Sequence, residues 1–316
     1  MTITQLKYVL AVAEYQNFTI ASEHCFVTQP TLSMQIQKLE DQLEVKIFNR
    51  NKKPIQLTQI GEKIVEQAKI IINESNRISD IVDQQKGYVG GEFKLGIIPT
   101  IMPSLLPMFL KTFVKKYPKV NLIIEELTTE EIIRKLSDGH IDAAIAATPL
   151  ENEAIKERVI YYEPFIGFIP SDHRLHNHKK IDASDLELND ILLLEDGHCF
   201  KESILNLCRA YKKESGAHFH LESGNFNTLI KLAKENLGMT LLPYLHTLDL
   251  NDIDQTFLRE FNAPVPAREV SLIYHKSQLK MQLIEALKDV IDSVIRGAIT
   301  FNDVKIVSPL QNKKRA

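Results

Sequence analysis

Apolar residues recur every three or four positions along the first eighty or so residues. Short apolar runs separated by helical stretches follow. In VTQPTLSMQIQKLEDQL (27–43), Leu32, Ile36, Leu39 and Leu43 share one helical face. Thr28 is placed to cap that helix, and Pro30 falls in its first turn. Gln29, Thr31, Ser33, Gln35 and Lys38 lie near the helix start or on its open face. Polar side chains there and apolar ones behind make a recognition-helix pattern. The first helix, from TQLKYVLAVAEY, sets Leu6, Val9, Leu10 and Ala13 on one side. The basic turn NRNKKP, followed by PIQLT, suits a wing whose Arg50, Lys52 and Lys53 meet phosphates. Three-helix units also occur in proteins that never touch DNA, so the pattern alone leaves both readings open.

From Gly61 to Lys86 one long helix is expected. Ile64, Ala68, Ile71, Ser75, Ile78 and Val82 step by four and three, the seam of a paired helix. GYVGG (87–91) then reads as a hinge. Beyond it EFKLGIIPT, VNLIIEEL, IDAAIAA, EPFIGFIP, DILLLED, GMTLLPYL and EVSLIYH read as strands. TEEIIRKLSDG and NTLIKLAKENLG read as helices between them. That alternation predicts an α/β domain with largely parallel sheets, split into two lobes around a cleft. The expected boundaries are 1–60 for an all-α winged helix-turn-helix and 61–91 for a linker helix and hinge. A regulatory domain at 92–300 and a tail at 301–316 complete the division.

Composition narrows the class. The chain has 316 residues, 44% hydrophobic and 25% charged, with a net charge of −3, the profile of a water-soluble protein. The longest apolar run, between Lys94 and Lys111, is broken by Pro99, Pro103 and Pro107. It falls short of about 20 residues, so no membrane partner is expected. The N-terminus lacks the features of a signal peptide, and a cytoplasmic location is the default expectation. The three cysteines therefore do not form a structural disulfide framework, because cytosolic thiols are kept reduced. Two of them, Cys199 and Cys208, stand nine residues apart in EDGHCFKESILNLC. Core packing, metal binding and redox chemistry are all open to such a pair.

The run AEYQNFTIASEHCFVTQPTLSMQIQKLEDQLEVKIFNR (Ala13–Arg50) closely resembles the signature of LysR-type transcriptional regulators. Within that family, GIIPTIMPSLLP (Gly96–Pro107) and the GHC motif of EDGHCFKESILNLC are similar to the peroxide-sensing members. The resemblance implies two lobes like those of periplasmic binding proteins, a dimer or tetramer, and an operator of double-stranded DNA. It also implies RNA polymerase as a partner, no enzymatic turnover and no cofactor. Cys199 would be the thiolate that hydrogen peroxide attacks, and Cys208 its resolving partner. Thr100, Thr129 and His198 would lie in the peroxide pocket. Two departures stand out. Lys201 occupies a position that is often Arg, and Ala217–Asn225 matches poorly, which weakens the carry-over to the pocket's far wall.

The residues themselves give the pair a geometry. KESILNLCRAYKK looks helical, which sets Cys199 at a helix N-terminus, where the dipole favours a thiolate. His198 and Lys201 are candidate cations beside it. Nine residues of helix span roughly 13 Å and about two and a half turns. A disulfide needs Cα atoms within about 7 Å. The pair therefore bonds only if the helix unwinds, or never bonds. Rival readings are a regulator with inert cysteines that binds an organic effector in the cleft, and a thiol peroxidase. Metal ligation by His198, His218 and His220 with the cysteines fits no standard zinc spacing. Cys25, one turn after Ala21, reads as core.

Overall fold

The computed structural model describes residues 1–85, 90–195, 199–209, 225–299 and 304–310, with only the backbone for 73, 76, 77, 79–85 and 209. It divides into two compact units, Met1–Lys86 and Gly87–Ala316.

The first unit holds α1 (Ile3–Tyr15), α2 (Phe18–His24), α3 (Gln29–Leu43), β1 (Phe48–Asn49), β2 (Gln56–Leu57) and α4 (Gln59–Gln85). Thr2 caps α1 in a capping box and Asn17 caps α2, which fixes where each helix begins. Leu6, Val9, Val12, Ala21, Leu32, Ile36, Leu39 and Ile47 form the core. Leu43 departs from the expected stripe. It is the last residue of α3 and is exposed, and the buried face ends at Glu40. Thr28 precedes α3, but its hydroxyl bonds the Thr31 hydroxyl at 2.8 Å and caps no backbone N–H. The region is not wholly α, because β1 and β2 pair antiparallel into a small wing. The paired-helix stripe on α4 is used partly within the unit. Ala68 is buried and Ile64 and Ile71 pack on the same core, whereas Ile78 is exposed. The Val82 side chain lies outside the described residues, as does most of the expected hinge at 87–91.

The second unit has two cores joined by two long strands. Its elements run β3 (Gly91–Ile97), α5 (Met102–Lys116), β4 (Val120–Glu126), α6 (Thr129–Ser137), β5 (Ala143–Thr148) and β6 (Ile155–Phe168). They continue with β7 (Lys180–Ile181), α7 (Cys199–Arg209), α8 (Phe226–Lys234), β8 (Thr240–Pro243), α9 (Tyr244–Thr247) and α10 (Asp252–Gln255). β9 (Leu258–Phe261), β10 (Val265–His275), α11 (Met281–Ile295) and β11 (Val304–Ile306) complete it. Strands lie in the order β4-β3-β5-β10-β6-β9-β7, with β8 on β6 and β11 on β10. β6 and β10 pass through both cores. Tyr161 and Val270 belong to the first, and Phe165 and Val265 to the second.

Two expectations need correction. The sheet is mixed: β3–β4 and β3–β5 are parallel, but β10 runs antiparallel to both β5 and β6. β6 leaves the first core for the second and β10 returns, so the two run in opposite directions, and the apolar runs do not encode that return. The described part of DILLLED, 190–195, is no strand. Among the described residues its one ladder pairing is a single bridge, Ile191 to Met239. Ile191, Leu192 and Leu194 are instead buried as an irregular segment. Gly238, at φ +143°, allows this close approach, since a Cβ there would lie 2.8 Å from the Asp190 carbonyl oxygen.

Candidate functional site

α7, described over Cys199–Arg209, carries both Cys199 and Cys208, so both thiols sit on one helix. Both are free and buried. They belong to different cores. Cys199 packs with Ile97, Ile98, Ala147 and the first lobe, whereas Cys208 packs with Phe200, Ile204, Leu207 and the second. Nine residues of α-helix separate them by roughly 13 Å, about twice the span a disulfide tolerates.

Arg268, Thr129 and Ala147 act on the Cys199 sulfur directly, and Thr100 and Glu163 are tied to it through Arg268. Thr100 comes from the turn between β3 and α5, Thr129 opens α6, and Ala147 lies near the end of β5. β10 supplies Arg268, and β6 supplies its partner Glu163. Arg268 donates from Nε and Nη2 to Glu163 Oε2 at 2.8 and 2.7 Å. Its Nη1 reaches the Thr100 hydroxyl at 2.9 Å, and Nη2 also reaches the Thr100 carbonyl at 3.0 Å. Both partners of this ion pair are 1% exposed. The guanidinium also stacks over Phe200, the residue after Cys199, at 5.2 Å. Glu163 Oε1 accepts the Leu245 N–H at 2.9 Å, which ties the pair to α9.

Burial pushes the Cys199 thiol above its usual value. Arg268 opposes this most strongly, followed by hydrogen bonds from the Thr129 side chain and the Ala147 and Phe200 backbone. A helix N-terminus would lower the pKa, but at this buried thiol desolvation wins. His198 and Lys201 were the candidate cations; among the described residues Arg268 is a charge that acts on the sulfur. His198 lies outside the described residues, and so do His218 and His220. For Cys208 burial alone raises the pKa, to about 11. Cys25 is half-buried in the first unit, against the same core as Ala21. Among the described residues, no group of three or more His, Cys, Asp or Glu is placed to hold a metal ion.

At the first unit's surface, Thr28, Gln29, Pro30, Thr31 and Lys38 are exposed along α3, as are Lys52 and Lys53 in the wing. Ser33 and Gln35 are half-buried. Gln35 accepts from Gln5 Nε2 through its carbonyl at 3.4 Å and its Oε1 at 3.3 Å. Arg50 is held by the protein, donating to Ser33 Oγ at 3.2 Å and Glu40 Oε2 at 3.1 Å. Glu40 is buried and also accepts the Ile47 and Phe48 N–H groups at 2.8 and 3.2 Å. It thereby fixes the entry to the wing from beneath α3.

Residues 3–62 match the family of bacterial regulatory helix-turn-helix proteins of the lysR type, and residues 86–296 match the LysR substrate binding domain. The chain belongs to the LysR family. LysR-type regulators are DNA-binding proteins rather than enzymes. The chain is 33% identical to a hydrogen peroxide-inducible genes activator of Pectobacterium carotovorum subsp. carotovorum, over 94% of this chain and 98% of that one. It is 32% identical to the dual regulator OxyR of Escherichia coli K12, over 94% and 97%. A full-length cysteine-to-aspartate OxyR of Pseudomonas aeruginosa superimposes with a TM-score of 0.75 at 34% identity, covering 92% of this chain and 98% of that one. A hydrogen peroxide-bound OxyR cysteine mutant of Corynebacterium glutamicum gives 0.64 at 29%, over 94% and 93%. Among the described residues, no helix of this LysR-type chain is long and apolar enough to cross a membrane.

The sequence reading missed Arg268 and Glu163. Arg268 precedes the apolar run EVSLIYH and Glu163 opens EPFIGFIP. A charge entering a buried strand was the available signal, lone at Glu163 and next to Glu269 at Arg268.

Proposed function

We propose that this LysR-type regulator senses hydrogen peroxide through Cys199 and is switched by a reversible Cys199–Cys208 disulfide. The observation that carries the reading is the placement of two buried thiols in two different cores on one helix, the first beside Thr129 and an Arg268 that also holds Thr100. The names of its relatives point the same way.

Peroxide reacts with the thiolate. A small polar molecule entering beside Cys199 relieves part of the desolvation that raises its pKa. Arg268, the Thr129 hydroxyl and the backbone N–H groups then remain to hold the anion. The Cys199 sulfur attacks one peroxide oxygen, the O–O bond breaks, and water leaves once the departing hydroxide is protonated. The Cys208 thiol then displaces water from the sulfenic acid to give the disulfide. With roughly 13 Å to close, α7 must come apart, and its residues leave the two cores they bridge. A dithiol reductant reverses the change.

The output is a changed grip on double-stranded operator DNA by Thr28, Gln29, Pro30, Thr31, Ser33, Gln35 and Lys38, with Arg50, Lys52 and Lys53 at the wing. Ile78, exposed on α4, fits a homodimer contact, and a pair of such dimers a tetramer that recruits RNA polymerase in the cytoplasm. Thiol trapping before and after a peroxide pulse tests the reading. Loss of both thiols with a linking peptide supports it. Retained thiols, with stabilisation by an organic metabolite instead, would replace it with an effector-binding regulator.

A further inference from the structure

The chain does not end at α11. β11 returns to pair in parallel with β10, Val304 to Ile306 against Val265 to Ala267. The Val307 N–H then donates to the Ala267 carbonyl at 2.8 Å, one residue before Arg268. Val307 is buried in the same core as Phe200, Ile204, Leu207 and Cys208, and Pro309 is buried as well. Past that point the tail meets α7. Asn206, two residues before Cys208, donates from Nδ2 to the Ser308 carbonyl at 3.0 Å and to the Leu310 carbonyl at 2.6 Å. The Leu310 N–H donates to Ser308 Oγ at 3.1 Å, which shapes the turn that presents both carbonyls.

We propose that residues 304–310 are a latch holding α7 helical, so that closing the disulfide and releasing the tail are one coupled event. The proposal rests on the redox reading above. Seven residues grip the strand that carries Arg268 at one end and the helix that carries both thiols at the other. Asn206 lies between the cysteines, so any unwinding that joins them carries its amide away from the tail carbonyls. Val307 then loses the core it shares with Cys208. The coupling is reciprocal. Stripping the tail favours the bridge, and the bridge frees the tail. Bond chemistry stays with the thiols: two thiols and one peroxide give one disulfide and two waters, and the tail only biases the backbone.

The test uses the full chain, Asn206→Ala, and a chain stopped after Asp303, with the thiol–disulfide midpoint set against glutathione. Asn206→Ala removes two hydrogen bonds from a partly buried side chain without disturbing the strand. Its equilibrium constant should move about tenfold toward the disulfide. Amide exchange along α7 should rise by a similar factor in the fully reduced variant. Exposed Lys305 gives a second readout, since trypsin should cut after it faster once the wild type is oxidised. A wild type that keeps both thiols under peroxide removes the redox reading and the coupling with it. A wild type that closes the bridge, beside variants with unchanged α7 exchange and midpoint, removes the latch alone.

Discussion

Replacing Arg268 by Met should separate two roles that one side chain combines. Arg268 neutralises Glu163 in a site where both are 1% exposed, and it is the strongest influence holding the Cys199 pKa down. The single substitution leaves a buried carboxylate without its cation, which costs about 3–5 kcal/mol of stability. A domain of this size should then melt roughly 10 °C lower. Adding Glu163→Gln removes the stranded charge while keeping an acceptor for the Leu245 N–H, so most of that stability should return. The chemistry should not return. A buried cation beside an anion is worth on the order of one to three pKa units, and each unit is tenfold in thiolate. The double variant should react with peroxide about 10- to 1000-fold more slowly than the wild type. Stopped-flow mixing with peroxide, quenched by alkylation and read by mass, gives the Cys199 rate constant, and calorimetry gives the stability. A double variant that is stable and reacts at the wild-type rate would refute the assignment of Arg268 to the sulfur.

Thr129→Val should slow Cys199 about tenfold with little change in melting, because the half-buried hydroxyl is one of the groups opposing the raised pKa; an unchanged rate removes Thr129 from the pocket. Cys208 has its pKa raised from 9.0 to about 11, so the fold holds that proton more tightly than the unfolded chain does. The resulting stabilisation is complete below about pH 9 and is lost as pH rises toward 11, on the order of 2–3 kcal/mol. Denaturant titrations of the reduced protein should show that Cys208→Ala flattens this alkaline decline, and parallel curves would contradict the burial argument. Glu40→Ala should weaken DNA binding without touching DNA, since it strands the Ile47 and Phe48 N–H groups and frees Arg50; a loss of about 2–4 kcal/mol in stability is expected. Lys52→Ala and Lys53→Ala should each reduce the salt dependence of operator affinity by about one unit of slope, measured by fluorescence anisotropy.

Local structure was legible where one residue's neighbours decide its fate. The stripe Leu32, Ile36 and Leu39, the helix through TEEIIRKLS and the helical run that carries Cys208 all follow from helical spacing. Leu43 and DILLLED were misjudged because burial there depends on distant chain: Leu43 at the end of α3 is exposed, and Ile191, Leu192 and Leu194 are buried in the second core. Sheet direction was hidden for the same reason. At the site, sequence spacing set the distance between the thiols but not what surrounds them. The Arg268–Glu163 pair joins positions 105 apart, and Asn206 meets carbonyls more than 100 residues on. Neither separation leaves a periodic trace. The direction of the Cys199 pKa was missed because helix polarity and nearby cations can be read locally, whereas desolvation requires the packed lobe.

Hydrogen exchange along residues 199–209, measured on the same sample before peroxide and after the Cys199–Cys208 bridge has been verified by mass, puts the helix itself on trial. The account predicts slow, helix-like exchange with free thiols and loss of that protection once the bridge forms. Equal protection in both states, bridge present, would mean that the sulfurs meet without the helix opening, and the switch described here would not exist.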